Sequence, residues 1–150
     1  MLAISNRGNY LTHYNEQLEN HPDYILHTLK FAPVKVDLWT INNKLVLGNT
    51  PTYEISPQFF YRGPLIIAAH DQETYNHFLQ KDYFVLNYFQ PQLYTQLTNK
   101  KYLWISAEND TSLNNITVSH PLSILSTSLP ITKINSPIYG LCSNYHNFSK

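Results

Sequence analysis

The chain has 150 residues, 43% of them hydrophobic, which predicts one domain over residues 1–150 with a sizeable core. Its formal net charge is zero and no basic stripe is visible, which argues against a nucleic-acid-binding protein. No apolar run reaches the roughly 18 residues of a membrane span, so no spanning segment is expected.

Short apolar runs bounded by turn residues predict the strands. The run at 34–41 alternates apolar and polar residues, as a strand with two different faces does. The pair Asn42-Asn43 tolerates positive φ, so a hairpin into 44–47 is expected. The predicted strands are 2–5, 34–41, 44–47, 65–69, 83–89, 102–106, 116–118 and 138–142.

Two stretches between these strands are predicted to be helices. Residues 22–31 begin with Pro22, which suits a first helical turn, and then repeat apolar residues on one face. Residues 71–81 begin with Asp71, a good N-cap, and end with a lysine. Residues 123–125 also fit a helical turn, in a weakly patterned region.

Strand–helix–strand order occurs twice, which predicts a parallel sheet with helical crossovers. A complete (β/α)₈ barrel needs about 250 residues, so this chain is too short for one. We therefore predict an α/β fold, a small, helix-poor or incomplete TIM-type (β/α) barrel with mostly parallel strands. Residues 143–150 lack an apolar pattern and are predicted to be a C-terminal tail.

The single cysteine, Cys142, rules out an internal disulfide and fits a reducing compartment. Residues 1–7 turn polar too soon for a signal peptide, so we expect a cytoplasmic protein. Cys142 lies in an apolar run without nearby positive charge, which favours a buried structural thiol over a nucleophile. The aromatic residues at 83–94 are better explained by packing than by base stacking.

Several short motifs occur in an order that resembles one enzyme family. They are Asn6-Arg7-Gly8, Glu19-Asn20, Lys35-Val36-Asp37 and Gly48-Asn49-Thr50. Their frame resembles the start of the glycerophosphodiester phosphodiesterases, which belong to the phospholipase C-like phosphodiesterases. That family has His-Arg-Gly, Glu-Asn, Glu-x-Asp and Gly-His-Asp at the corresponding places.

The resemblance implies two catalytic histidines and a divalent cation, and this sequence lacks most of those groups. Asn6 and Asn49 stand at the two histidine positions, and an amide cannot transfer a proton near neutral pH. Lys35 stands at a metal-binding glutamate, and an ammonium repels a metal ion. Glu19 and Asp37 remain as vestigial metal ligands. The resemblance therefore implies a pseudoenzyme without a cofactor, or with Ca²⁺ or Mg²⁺ if a residual metal site works.

Two interpretations of the altered positions remain open. Lys35 could supply a positive charge to a phosphate, with Arg7 as a second ligand-binding residue. Alternatively, Lys35 and Asp37 form an internal ion pair that fills the former site. Arg7 could also play a structural role by pairing with Glu19 or Asp37.

The seven histidines contain no His-x-x-x-His pair, so a dedicated zinc site is not expected. His70, at the end of a predicted strand, is the best candidate for a residual acid–base role.

Three functions follow from the sequence. The first is a catalytically inactive phosphodiesterase-like protein that binds a phosphate-bearing small molecule at the carboxyl ends of the strands. The second is a divergent metal-dependent phosphodiester hydrolase that uses Glu19, Asp37 and His70. The third is a structural or oligomerisation module with a closed site. Neither the ligand nor the oligomeric state follows from the sequence.

Overall fold

The structure is a computed structural model that describes residues 2–10, 14–89, 95–106, 123–127, 138–144 and 146. This part of the chain contains ten strands, two α-helices and two short 3₁₀ helices, at Glu16–Leu18 and Pro57–Tyr61. The strands are β1 Leu2–Asn6, β2 Val34–Ile41, β3 Lys44–Leu47, β4 Tyr53–Ile55, β5 Leu65–Ala69, β6 Phe84–Asn87, β7 Thr95–Leu97, β8 Leu103–Ser106, β9 Ser123–Thr127 and β10 Gly140–Ser143. The α-helices are α1 Pro22–Thr28 and α2 Gln72–Gln80.

All ten strands belong to one sheet, in which β2 is a branch point. Along one path the order is β4-β3-β2-β1-β10-β9-β8-β7, and β5 pairs with both β2 and β6. The pairings of β1, β2, β5, β6, β8, β9 and β10 with one another are parallel. The pairs β2–β3, β3–β4 and β7–β8 are antiparallel.

The predicted TIM-type barrel, small, helix-poor or incomplete and with mostly parallel strands, is wrong. The sheet is mixed and curls into a half-barrel, and strands hold 41% of the described residues against 22% for helices, so the sheet dominates the fold. Between β2 and β5 the chain forms β3 and β4 where a barrel would place a helix. The cause of this difference is local. A two-residue turn after β2 can only return the chain as a strand antiparallel to β2.

That turn is the predicted hairpin, and it is confirmed. Asn42 and Asn43 have φ values of 51° and 60°, the left-handed conformation that asparagine tolerates better than most residues. Ile41 then pairs with Lys44 in antiparallel register.

Both predicted helices are confirmed, with shorter bounds. In α1, Pro22 occupies the first turn, and the His21 side chain accepts a hydrogen bond from the Asp23 amide. In α2, Asp71 is the N-cap and its side chain accepts a hydrogen bond from the Thr74 amide, at 2.7 Å. Neither helix, nor any other in the described residues, is long and apolar enough to cross a membrane.

The sheet has two different faces, each with its own apolar cluster. Alternate residues of β2, namely Val34, Val36 and Leu38, join a cluster that includes Ile25 of α1 and Phe78 of α2. The second cluster lies on the opposite face, here called the inner face. It consists of Ile4, Ile66, Leu86, Trp104, Ile124 and Cys142. Because strand residues alternate, Lys35 and Asp37 of β2 are on the inner face.

Two further predictions about the later chain need correction. Residues 123–125 belong to β9, a buried strand, and do not form a helical turn. Ser143 ends β10 and Asn144 is buried, so the predicted tail at 143–150 begins too early. The predicted strand at 116–118 lies outside the described residues, as do 145 and 147–150 of the tail.

Candidate functional site

Asp37 is fully buried on the inner face and bonded through both carboxylate oxygens. Its Oδ2 accepts from Arg7 Nε at 2.6 Å and from Asn20 Nδ2 at 2.9 Å. Its Oδ1 accepts from His70 Nε2 at 2.7 Å. Burial alone would raise the pKa of Asp37, but the charge of Lys35, the His70 hydrogen bond and the charge of Arg7 together hold that pKa far below its usual range. The carboxylate is therefore ionised at any physiological pH.

Arg7 lies between the two acidic residues that the sequence singled out. Besides Asp37, its guanidinium donates to Glu19 Oε2 at 3.2 Å and, at the longer distance of 3.5 Å, to Asn49 Oδ1. The backbone places it there, since Arg7 has φ 59° and Gly8 has φ 95°, a tight turn directly after β1. This arrangement favours the structural interpretation of Arg7, which is bonded to both Glu19 and Asp37.

The same arrangement does not fit a divalent cation. Glu19 Oε1 accepts from Asn9 at 2.8 Å and Oε2 accepts from Arg7, while both oxygens of Asp37 are also engaged. The guanidinium already supplies a positive charge to the two carboxylates, and a metal ion would have to displace it. Within the described ranges, no group of three or more histidine, cysteine or acidic side chains is arranged to hold a metal. The expectation about Ca²⁺ or Mg²⁺ stays a prediction.

Asn6 lies beside this network and joins it through other amides. Its Nδ2 donates to Asn144 Oδ1 at 3.0 Å, and Asn144 Oδ1 also accepts from Asn9 Nδ2 at 3.1 Å. Asn9 in turn donates to Glu19. The Oδ1 atom of Asn6 is buried and has no hydrogen-bond partner among the residues described.

Lys35 pairs in register with Asn6, and its side chain is fully buried. Its ammonium has no hydrogen-bond partner in the described part of the chain. It lies 4.7 Å from the centroid of the Tyr88 ring, within cation–π range. Burial lowers the pKa of Lys35, but the charges of Tyr88 and Asp37 outweigh burial and raise that pKa above its ordinary value. The nearby charge of Arg7 acts in the opposite direction and lowers the pKa of Lys35.

The direct Lys35–Asp37 ion pair, one of the two interpretations left open by the sequence, is not formed. The Asp37 carboxylate forms its salt bridge with Arg7 and accepts a hydrogen bond from His70. Lys35 is thus a buried cation whose three N–H donors have no acceptor in the described residues.

Three aromatic rings continue the inner face at the carboxyl ends of β2, β5 and β6. The Trp39 and His70 rings stack with centroids 4.7 Å apart, and the His70 and Tyr88 rings meet edge-on at 5.7 Å. Trp39 Nε1 donates to the Gly48 carbonyl at 2.7 Å, which fixes its ring. The Tyr88 hydroxyl is buried without a hydrogen-bond partner in the described structure. The rings therefore hold His70 against Asp37 and cover Lys35.

Most of the residues singled out from the sequence come together, but they differ in how closely they are bonded to one another. Arg7, Glu19, Asp37 and His70 form one bonded network, while Asn49 is exposed and reaches it only through the long contact to Arg7. Of the other six histidines, His13 and His120 lie outside the described residues.

Four contributors to the site were given no role from the sequence: Asn9, Asn20, Tyr88 and Asn144. The signal for Asn20 was its position next to Glu19. Asn144 is 138 residues away from its partner Asn6, so no local spacing could reveal the contact.

We compared the chain with models of known protein families, with curated proteins and with solved structures, and none of them matches. The resemblance to glycerophosphodiester phosphodiesterases therefore stays a prediction based on the motifs alone.

Proposed function

We propose that this protein is a non-catalytic binding protein that holds a phosphate-bearing small molecule at Lys35, on the inner face of the sheet. The observation that carries the proposal is the fully buried Lys35 ammonium, which has no hydrogen-bond acceptor in the described residues. Buried polar groups are nearly always hydrogen-bonded, and an exception needs an explanation such as a water or an ion. An anionic ligand would supply the missing acceptors.

The chemistry of the neighbouring groups supports an oxyanion. Lys35 offers three N–H donors, and the hydroxyl of Tyr88, whose ring centroid lies 4.7 Å from the ammonium, is a further donor without a partner in the described structure. Arg7, in contrast, is bonded to Asp37 and Glu19. Lys35 is therefore the cation that would bind a ligand, and Arg7 the one that holds the site together.

Access to Lys35 requires a movement of Tyr88. The ring covers the ammonium and lies just beyond the end of β6, where it is half-buried. Rotation of the ring would exchange the cation–π contact for a charge-assisted hydrogen bond to the ligand, which is the stronger of the two interactions.

The absence of catalysis is the second part of the proposal. The amide side chains of Asn6 and Asn49 cannot transfer a proton near neutral pH. Asn49 is also exposed to solvent. We also propose that the protein works in a reducing, cytoplasmic environment, because its only cysteine, Cys142, is fully buried.

The test is a calorimetric titration with inorganic phosphate and with methyl phosphate. We expect saturable binding to the natural protein and a loss of about tenfold to a hundredfold in Lys35→Met, because a hydrogen bond to a charged group contributes about 1.5–3 kcal/mol. Lys44→Met is the matched control, since the Lys44 side chain is 62% exposed and, among the described residues, its ammonium is bonded to Glu54 alone, at 3.5 Å. If the natural protein binds neither compound, or if Lys35→Met binds both unchanged, the proposal is wrong and a structural role with a closed site remains.

A hydrolase is the second candidate, and the contact between His70 and Asp37 favours it. A histidine oriented by a buried carboxylate is a common general base, and this pair is only 2.7 Å apart. We would measure release of nitrophenol from bis(4-nitrophenyl) phosphate with Ca²⁺ or Mg²⁺. Turnover that disappears in both His70→Gln and Asp37→Ala would support this candidate. No turnover above background, or turnover that survives both changes, would exclude it.

A further inference from the structure

The inner face also presents a buried acceptor on Asn6, the residue of β1 that pairs with Lys35. Asn6 Oδ1 has no hydrogen-bond partner in the described residues, although the Nδ2 atom of the same amide is bonded to Asn144. An unsatisfied carbonyl oxygen in a buried place costs about 1–3 kcal/mol. A further buried atom without a partner in the described residues, this time an acceptor, thus belongs to the residue paired with Lys35.

The orientation of the Asn6 amide follows from a chain of hydrogen bonds that begins at a backbone group. The Asn15 amide N–H and the Tyr24 hydroxyl both donate to Asn9 Oδ1, at 3.2 Å and 2.8 Å. Asn9 must therefore turn its Nδ2 toward Asn144, which accepts with Oδ1 at 3.1 Å. Asn144 Oδ1 then accepts from Asn6 Nδ2 at 3.0 Å, so Asn6 keeps its oxygen as the unbonded atom.

The placement of this oxygen brings an acceptor to the same side of the sheet as the donors. Asn6 and Lys35 are direct register partners in the parallel pair β1–β2, so their side chains lie on the same face. The combined set is an ammonium with three donors, the Tyr88 hydroxyl and one amide oxygen, and the described residues of the inner face hold one more donor without a partner, Trp104 Nε1. A ligand that satisfies this set must offer several acceptors and one hydrogen-bond donor.

We propose, on the basis of the proposed function, that Asn6 makes the site selective for an oxyanion that carries a proton. The unprotonated oxygens of a phosphate accept from Lys35 and Tyr88, and its P–O–H group donates to Asn6 Oδ1. Sulfate has the same shape and charge as hydrogen phosphate but has no proton near neutral pH, so it would leave the Asn6 oxygen unpaired. The site should therefore reject sulfate.

The test compares inorganic phosphate with sulfate by calorimetry at neutral pH. We expect the natural protein to bind phosphate at least about fivefold more tightly, since an unpaired buried acceptor costs about 1–3 kcal/mol. In Asn6→Leu, which lacks the amide, the ratio of the two affinities should fall toward one, with sulfate affinity unchanged or higher.

A second variant tests the orientation without changing a residue that would touch the ligand. Asn144→Leu removes the acceptor that fixes the Asn6 amide, so Asn6 becomes able to turn its NH₂ group toward the anion. We expect the preference for phosphate to fall mainly because sulfate binding improves. Circular dichroism and the unfolding midpoint show whether each variant is folded.

The outcomes separate this inference from the proposed function. Equal binding of phosphate and sulfate by the natural protein overturns the inference and leaves the anion site intact, as expected if Asn6 Oδ1 accepts only from a water molecule. A phosphate preference that survives in both variants shows that Asn6 does not create it. If neither anion binds, the proposed function fails and this inference fails with it.

Discussion

Lys35 and Asp37 are two buried charges on the same face of β2, two residues apart, and their surroundings differ. Asp37 is hydrogen-bonded to Arg7, Asn20 and His70. Lys35 has no hydrogen bond from its ammonium within the described structure and instead lies against the Tyr88 ring. Both are completely inaccessible to solvent. Burial alone therefore does not distinguish a structural charge from a binding charge, whereas the number of bonded partners does.

The difference divides the candidate site into two parts. Around Asp37, cations and amide donors match the acceptors, so this part has little to offer a ligand. Around Lys35, donors and an acceptor remain without partners in the described residues. The first part is a closed hydrogen-bonded network, and the second is the part that we propose binds an anion.

Removal of the Asp37 charge should have the largest effect on stability. We expect Asp37→Asn to lower the free energy of unfolding by about 3–5 kcal/mol, because Arg7 and His70 lose a buried anionic partner. Urea unfolding measures the change. Asp82→Asn is the matched control, because the Asp82 side chain is 87% exposed and its bond to Lys100 is a surface ion pair, for which about 0–1 kcal/mol is usual. Equal costs for the two variants would show that the Asp37 network does not stabilise the fold.

Acid should remove the same stabilisation gradually. The pKa of Asp37 is depressed in the folded state, so its contribution is fully present above the ordinary value of about 3.9 and is lost as the pH falls below it. We expect the free energy of unfolding to decrease below about pH 4, with this group contributing up to 1.36 kcal/mol per pH unit. Asp37→Asn should lack that component. Parallel profiles of the two proteins in urea titrations at a series of pH values would contradict the assignment.

The part of the fold that could be predicted from the sequence is the part set by neighbouring residues. Alternation in 34–41 predicts β2 with its correct bounds, and the Asn42-Asn43 turn and the Asp71 cap are equally local signals. The predicted barrel was wrong because two helical crossovers do not determine how the other strands pair, and three of those pairs are antiparallel. The antiparallel strand β7, residues Thr95–Leu97, could not be predicted because its sequence has no apolar alternation.

The candidate site shows the same limit at the level of side chains. The motifs placed Arg7, Glu19 and Asp37 together, and the structure bonds them. The sequence could not predict which of the two cations, Arg7 or Lys35, has hydrogen-bond acceptors, because that depends on distances within the folded chain. Arg7 reaches both carboxylates from a turn with positive φ, whereas Lys35 extends from the strand toward Tyr88.

Removal of the Lys35 charge should change stability much less than removal of Asp37. We expect Lys35→Met to alter the free energy of unfolding by no more than about 1 kcal/mol, because the ammonium has no hydrogen bond to lose and its burial is itself costly. The remaining effect is that the positive charge of Lys35 no longer stabilises the ionised Asp37 carboxylate. Urea unfolding beside Asp37→Asn gives the comparison directly. A cost as large as that of Asp37→Asn would make Lys35 a structural partner of Asp37 and remove the distinction between the two charges.

The smallest effect is expected at Asn49, which the motifs placed at a former catalytic position. Its side chain is exposed and its contact with Arg7 is 3.5 Å long, so Asn49→Ala should change the free energy of unfolding by less than about 0.5 kcal/mol. Asn20→Ala is the informative counterpart, because buried Asn20 makes two bonds of 2.9 Å with Asp37 and should cost more. Phosphate titration of both variants completes the test. If Asn49→Ala weakens phosphate binding as much as Lys35→Met does, Asn49 takes part in recognition of the anion. The binding region then extends beyond Lys35 toward Arg7.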